Sequence, residues 1–178
     1  IEDDVFKGIE GTIATMVRRG GEDFAKVSLG GSWNETAGFN GVGEAELLTD
    51  IEVASIAEYN LWVTKGTGAQ IGIEHDDIKE IGGKVPMRLD EGDQPFIKGQ
   101  LEGTYKIAEK QLDGSGSAQV LVEKELGKLG EDALWLIPSS NATATVAANE
   151  LTEVGGELNL SIRNGDGQYA TVALAGTF

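Results

Sequence analysis

Along residues 158–163 apolar and polar side chains alternate one by one, with Leu158, Leu160 and Ile162 on one side and Asn159, Ser161 and Arg163 on the other. Ala118, Val120 and Val122 alternate in the same way with Gln119, Leu121 and Glu123, and Val172, Leu174, Gly176 and Phe178 form a third row. Successive side chains of an extended chain point to opposite sides, so a period of two marks a strand with one covered face. One covered face per strand implies antiparallel pairing, not a parallel sheet buried on both sides. The pattern predicts an all-β fold, with strands near 8–17, 23–32, 42–49, 59–64 and 68–74 in the first part of the chain. Hairpin turns are expected at 18–21, 90–93 and 164–167; Asn-Gly and Asp-Gly pairs supply the positive φ of a tight turn. No long amphipathic helix is expected, and 106–111 has room for a single helical turn.

The alternation is itself repeated. Val27–Trp33, Gly99–Tyr105 and Val172–Phe178 each carry Leu, one spacer, Gly, Ser or Thr, and an aromatic, at offsets of 72 and 73 residues. Leu61-Trp62 matches Leu134-Trp135, Gly41 and Gly43 match Gly114 and Gly116, and Ala69, Ile71 and Ile73 match Ala142, Ala144 and Val146. So many landmarks kept in step define tandem β-repeats of about 73 residues. Unit one is read as 1–75, unit two as 76–148, and a partial third unit, 149–178, is expected to pack on unit two. Aliphatic pairs three residues apart at Val5/Ile9 (a looser case), Val53/Ile56, Ile78/Ile81, Leu126/Leu129 and Leu151/Val154 are read as corners between sheet layers. No Pro- or Ser-rich linker separates the units, so one elongated sandwich- or solenoid-like body is expected.

Composition narrows the function. Twenty-six glycines and three prolines among 178 residues suit many short strands joined by turns. The net charge of −16 repels phosphate backbones and anionic lipid, which argues against nucleic-acid and membrane-surface partners. No cysteine is present, so disulfides, thiolate nucleophiles and Cys-ligated metals are excluded. No apolar run approaches the roughly 20 residues of a membrane-spanning helix. The chain begins at Ile1 without Met, and its third unit is partial, so a segment of a longer array is expected.

Candidate chemistry is sparse. The only histidine, His75, sits beside Glu74, Asp76 and Asp77, but its counterpart in unit two is Ala148, and a solvated turn is expected there. The acidic turns offer oxygen to a hard cation: Asp90, Glu91 and Asp93 lie together, and Asp113 and Asp166 each sit in a Gly-rich turn. These five are the candidate calcium ligands, although no complete calcium-loop signature is present. Trp33 and Tyr105 occupy matching places, so they belong either to a stacked core layer or, if exposed, to a surface on which sugar rings stack. Asn34, Asn141 and Asn159 stand in N-x-[ST] sequences, the last inside an expected strand. No phosphate-binding loop, catalytic triad or defined carboxylate pair is found, so no enzyme is expected.

In architecture the pattern resembles the repeat modules of large bacterial surface or exported proteins, a likeness that carries no functional residues with it. It implies a non-enzymatic scaffold module at the cell surface or outside the cell. Its expected partners are further copies of the repeat, or itself, through sheet edges. The competing expectation is a module that binds carbohydrate or a protein receptor, with calcium in support.

Overall fold

The computed structural model describes residues 8–165 and 167–178. Among them are fourteen strands and no helix: β1 (Gly8–Arg19), β2 (Glu22–Asn34), β3 (Gly38–Leu47), β4 (Ile51–Ile56), β5 (Tyr59–Val63), β6 (Gly68–Glu74), β7 (Asp77–Glu91), β8 (Gln94–Lys106), β9 (Gln111–Val120), β10 (Lys124–Leu129), β11 (Asp132–Leu136), β12 (Asn141–Ala147), β13 (Glu150–Asn164) and β14 (Gly167–Thr177). All pair antiparallel in one open sheet, along the path β1-β2-β3-β6-β7-β8-β9-β12-β13-β11-β10. β14 joins through β13, and β4 joins through β5, which pairs with β7. The segment 107–110 is a turn between β8 and β9, not a turn of helix.

Two long strands organise the sheet. The first half of β7 bonds to β6, from Gly68↔Lys84 to Glu74↔Asp77, and its second half bonds to β5, from Tyr59↔Glu91 to Val63↔Met87. β13 divides in the same way between β12 and β11. Pro86 falls where β7 changes partner, so its missing N–H breaks no ladder bond, while its carbonyl accepts the Thr64 N–H at 3.0 Å.

Tight turns close the hairpins where positive φ is available. Gly20 and Gly21 turn β1 into β2, Gly92 turns β7 into β8, and Gly165 lies between β13 and β14. His75 and Asp76 (φ 53° and 65°) and Ala148 and Asn149 (52° and 69°) make the two other turns with both central residues left-handed. Asp76 then behaves like one more strand residue: its N–H donates to the Phe39 carbonyl at 3.1 Å, and its Oδ1 accepts the Phe39 N–H at 2.8 Å. Asn149 does the same with Leu112, at 3.0 and 2.8 Å.

Two expectations are corrected. The second layer of a sandwich or solenoid is not found among the described residues, because all fourteen strands lie in one sheet. Alternation requires only that one face be covered and does not specify by what. The aliphatic pairs are not corners either, since Val53/Ile56, Ile78/Ile81 and Leu151/Val154 lie within β4, β7 and β13. Their three-residue spacing comes from β-bulges. Ile81 faces Ile71 and Ile78 faces Ile73, with one extra residue, Lys79, between them. Val154 and Leu151 flank a bulge that contains Thr152, and Val53 is itself the extra residue in β4. One inserted residue shifts the alternation, so positions three apart share a face. Leu126 is likewise the extra residue in β10, and Val5 lies outside the described residues.

Candidate functional site

The registers sort the side chains onto two faces of different chemistry. One ladder row runs Ile13, Leu29, Gly43, Ile71, Ile81, Tyr105 and Leu112; another runs Val85, Leu101, Gly116, Ala144 and Val154. The opposite face carries Lys26 across from Glu46 and Lys84 across from Glu102, opposite charges in directly facing positions.

The apolar face is open. Ile13 is 73% exposed and Leu101 50%, and among the described apolar side chains only Phe96 and Val120 are buried. The chain has an accessible surface of 11715 Å², against about 8,300 Å² for a compact monomer of this mass. At its centre the face holds a groove of about 410 Å³, walled by Leu61, Met87, Leu89, Ile97, Leu101 and Val154. Its floor is Gly99, Gly116, Ala118, Ala142 and Ala144, small residues that leave the backbone near the surface. The polar face holds a trough of about 700 Å³, lined among others by Lys26, Glu46, Gln70, Lys84, Glu102 and Asp113.

No family model matches the chain, nor does any curated protein or solved structure. No helix among the described residues is long and apolar enough to cross a membrane.

Three of the candidate calcium ligands, Asp90, Glu91 and Asp113, have protein partners. Asp90 is buried and accepts from Arg88 Nε at 2.7 Å, while Glu91 pairs with Lys124. Asp93 lies in the exposed β7–β8 turn. Asp113 faces Thr104 and Asp90 faces Pro95, so nine residues of β8, about 30 Å, separate them. Asp113 accepts the Ala148 N–H at 2.9 Å and the Gln111 amide at 3.0 Å, and the first of these bonds is the main cause that holds its carboxyl below the usual range. Asp166 lies outside the described residues. No group of three or more potential metal ligands converges among the described residues. His75 is exposed in its turn, and its N–H donates to Asn40 at 3.1 Å.

Trp33 is half-buried and Tyr105 is 39% exposed, both on the apolar face. They lie on β2 and β8, four strands apart in the sheet, about 19 Å across the strands, and Trp33 is displaced along β2 from Leu29, which shares the ladder row of Tyr105. That separation is too wide for both rings to bear on one small sugar.

A second arrangement of aromatics escaped the sequence. Arg88 lies over Trp62 with its guanidinium carbon 5.5 Å from the ring centroid, and Arg163 lies over Trp135 at 4.9 Å. Each arginine also binds a carboxylate from the loop ahead of a short strand: Arg88 binds Asp50 at 3.1 Å, and Arg163 binds both oxygens of Glu123 at 2.7 and 2.8 Å. The Trp62/Trp135 and Asp50/Glu123 pairs share the 73-residue offset, but the arginines are 75 apart. That slip hid the motif. These clasps tie the loops preceding β4 and β10 to the long strands and fix the short hairpins.

Proposed function

We propose that the chain is a non-enzymatic structural module, built on a repeated six-strand unit, of a larger or self-assembling β scaffold. The observation that carries the reading is the open apolar face, on which Ile13, Leu29, Ile81, Leu101 and Val154 are all exposed, in a chain whose total surface is about 3,400 Å² above that of a compact monomer of the same mass. A contiguous row of exposed apolar side chains marks a site where other protein is to pack. The repeated unit is supported by lengths and irregularities that recur together. β3 to β6 have 10, 6, 5 and 7 residues, and so do β9 to β12. The bulges at Val17/Arg18, Leu89/Asp90 and Ile162/Arg163 keep the offset of the sequence landmarks. A setting at the cell surface or outside the cell belongs to the same proposal and rests on the architectural resemblance.

Sedimentation velocity across a hundredfold range of protein concentration, with dye binding to exposed apolar surface, tests the reading. Concentration-dependent association, with dye fluorescence falling as the protein associates, is expected. A monodisperse monomer that binds no dye overturns it.

A further inference from the structure

β14 is bonded along one edge to β13, and its other edge carries no strand among the described residues. Two other hairpins have the same registers and do not share this feature. Leu174 faces Leu158 and Gly176 faces Gly156, as Leu101 faces Val85 and Gly103 faces Gly83, and as Leu29 faces Ile13 and Gly31 faces Gly11. The outer edge of β2 is covered by β3, and that of β8 by β9, again in one register. Leu29 faces Gly43 and Gly31 faces Gly41; Leu101 faces Gly116 and Gly103 faces Gly114.

The space around the matching glycines differs. A Cβ placed on Gly103 would stand 2.9 Å from the Asp113 carbonyl of β9, and one on Gly31 would stand 2.4 Å from the Asn40 carbonyl of β3. A Cβ on Gly176, at the matching place, meets nothing within 4 Å. Tyr105 is 39% exposed where Leu112 lies opposite it, whereas Phe178 is 98% exposed.

We infer that the free edge of β14 is a binding site for one extended segment of stated pattern, added antiparallel: Phe or Leu, x, Gly, x, Gly, x, Ala, x, then Leu or Val. This rests on the scaffold reading and names the element that continues it. The pattern is read from Phe39–Leu47 and Leu112–Val120, and each position has a reason. The first residue covers the aromatic, as Phe39 faces Trp33 and Leu112 faces Tyr105. The first glycine lets two backbones approach: a Cβ on Gly114 would lie 2.6 Å from the Glu102 carbonyl, and one on Gly41 2.3 Å from the Gly30 carbonyl. The second lies beside a leucine, and a Cβ on Gly116 would meet Leu101 at 2.9 Å. Main-chain hydrogen bonds supply the affinity and this alternation the selectivity, as in other cases of strand addition to a sheet edge.

The test titrates the full chain into a labelled peptide of the sequence of residues 111–120, with a Gly114→Val, Gly116→Val peptide as control. Saturable binding of the first peptide alone is expected, with new hydrogen-exchange protection across β14 and none at the free edge of β1. Gly176→Ala should leave the thermal midpoint of the free chain unchanged and weaken binding at least tenfold, because only the docked strand supplies an atom for the new methyl to strike. No binding, binding equally tight to the control peptide, or binding indifferent to Gly176→Ala overturns the inference. Concentration-dependent association that persists in that event leaves the scaffold reading standing, and the loss of both removes the two together.

Discussion

The main-chain N–H of Asn159 donates to the hydroxyl of Ser140 over 2.9 Å, and that hydroxyl donates in turn to the Ile137 carbonyl at 2.9 Å. Ser140 is 3% exposed, so its hydroxyl partners this N–H from a buried position. In β7 the matching residue is Pro86, which has no N–H, and the residue matching Ser140 is Thr67, whose hydroxyl donates to the Thr64 carbonyl at 2.8 Å. The chain meets the same need in two ways where a long strand changes partner: a hydroxyl supplied in β13, a donor removed in β7.

Ser140→Ala should therefore cost about 1–3 kcal/mol, the range for leaving a buried donor unsatisfied. Thr67→Ala, which orphans no N–H, should cost less than about 1.5 kcal/mol. Adding Asn159→Pro to Ser140→Ala should recover part of the loss. Urea unfolding of the four chains measures this, and equal costs for the two alanine variants would sink the account.

Gly11, Gly31 and Gly41 stand side by side across β1, β2 and β3, yet their surroundings differ. A methyl on Gly31 would press on the Asn40 carbonyl, the Gly41 Cα at 2.7 Å and the Phe39 ring at 2.7 Å, while one on Gly11 meets nothing within 4 Å. Gly31→Ala is expected to destabilise by about 1–3 kcal/mol, the usual range for overpacking, and Gly11→Ala by no more than about 0.5 kcal/mol, as for an open surface site. Thermal unfolding of both variants decides it; similar losses would mean that contact at β2–β3 is not what the glycine serves.

Much of this fold is legible from alternation. The strand expected at 68–74 is Gly68–Glu74, that at 59–64 is Tyr59–Val63, and the hairpins turn at the expected glycines. β4 and β10 were not legible, since Val53 and Leu126 are extra residues in bulges and break the period of two. The single open layer was not legible either, because Leu101 and Ile81 would read identically beneath a second sheet. The arginine clasps were hidden because Arg88 and Arg163 stand two residues out of step with the repeat.

Glu123 makes one clasp sensitive to pH. Its hydrogen bond to Arg163 holds its carboxyl below the ordinary 4.5. A group depressed on folding contributes stability above its unfolded value and loses it as pH falls through the folded value. Stability should therefore decline as pH is lowered below 4.5, and Glu123→Gln should flatten part of that decline with little change at pH about 7, where the exposed pair is screened. Parallel acid unfolding curves for the two proteins would count against this origin.

Calcium is expected to leave the unfolding midpoint where EDTA leaves it. Asp90 is held by Arg88, Glu91 by Lys124 and Asp113 by the Ala148 N–H, so a cation would have to displace existing partners at each carboxylate. It would also have to do so at places about 30 Å apart along β8. A calcium ion needs six to eight oxygens within one shell, and two or three carboxylates on one turn fall short of that. Preferential binding to the folded chain would raise the midpoint as ligand concentration exceeds the dissociation constant. Differential scanning calorimetry in EDTA and in millimolar calcium is the direct measurement. A rise of several degrees would return Asp93 and its neighbours to the role of ligands and require Arg88 and Lys124 to release their carboxylates.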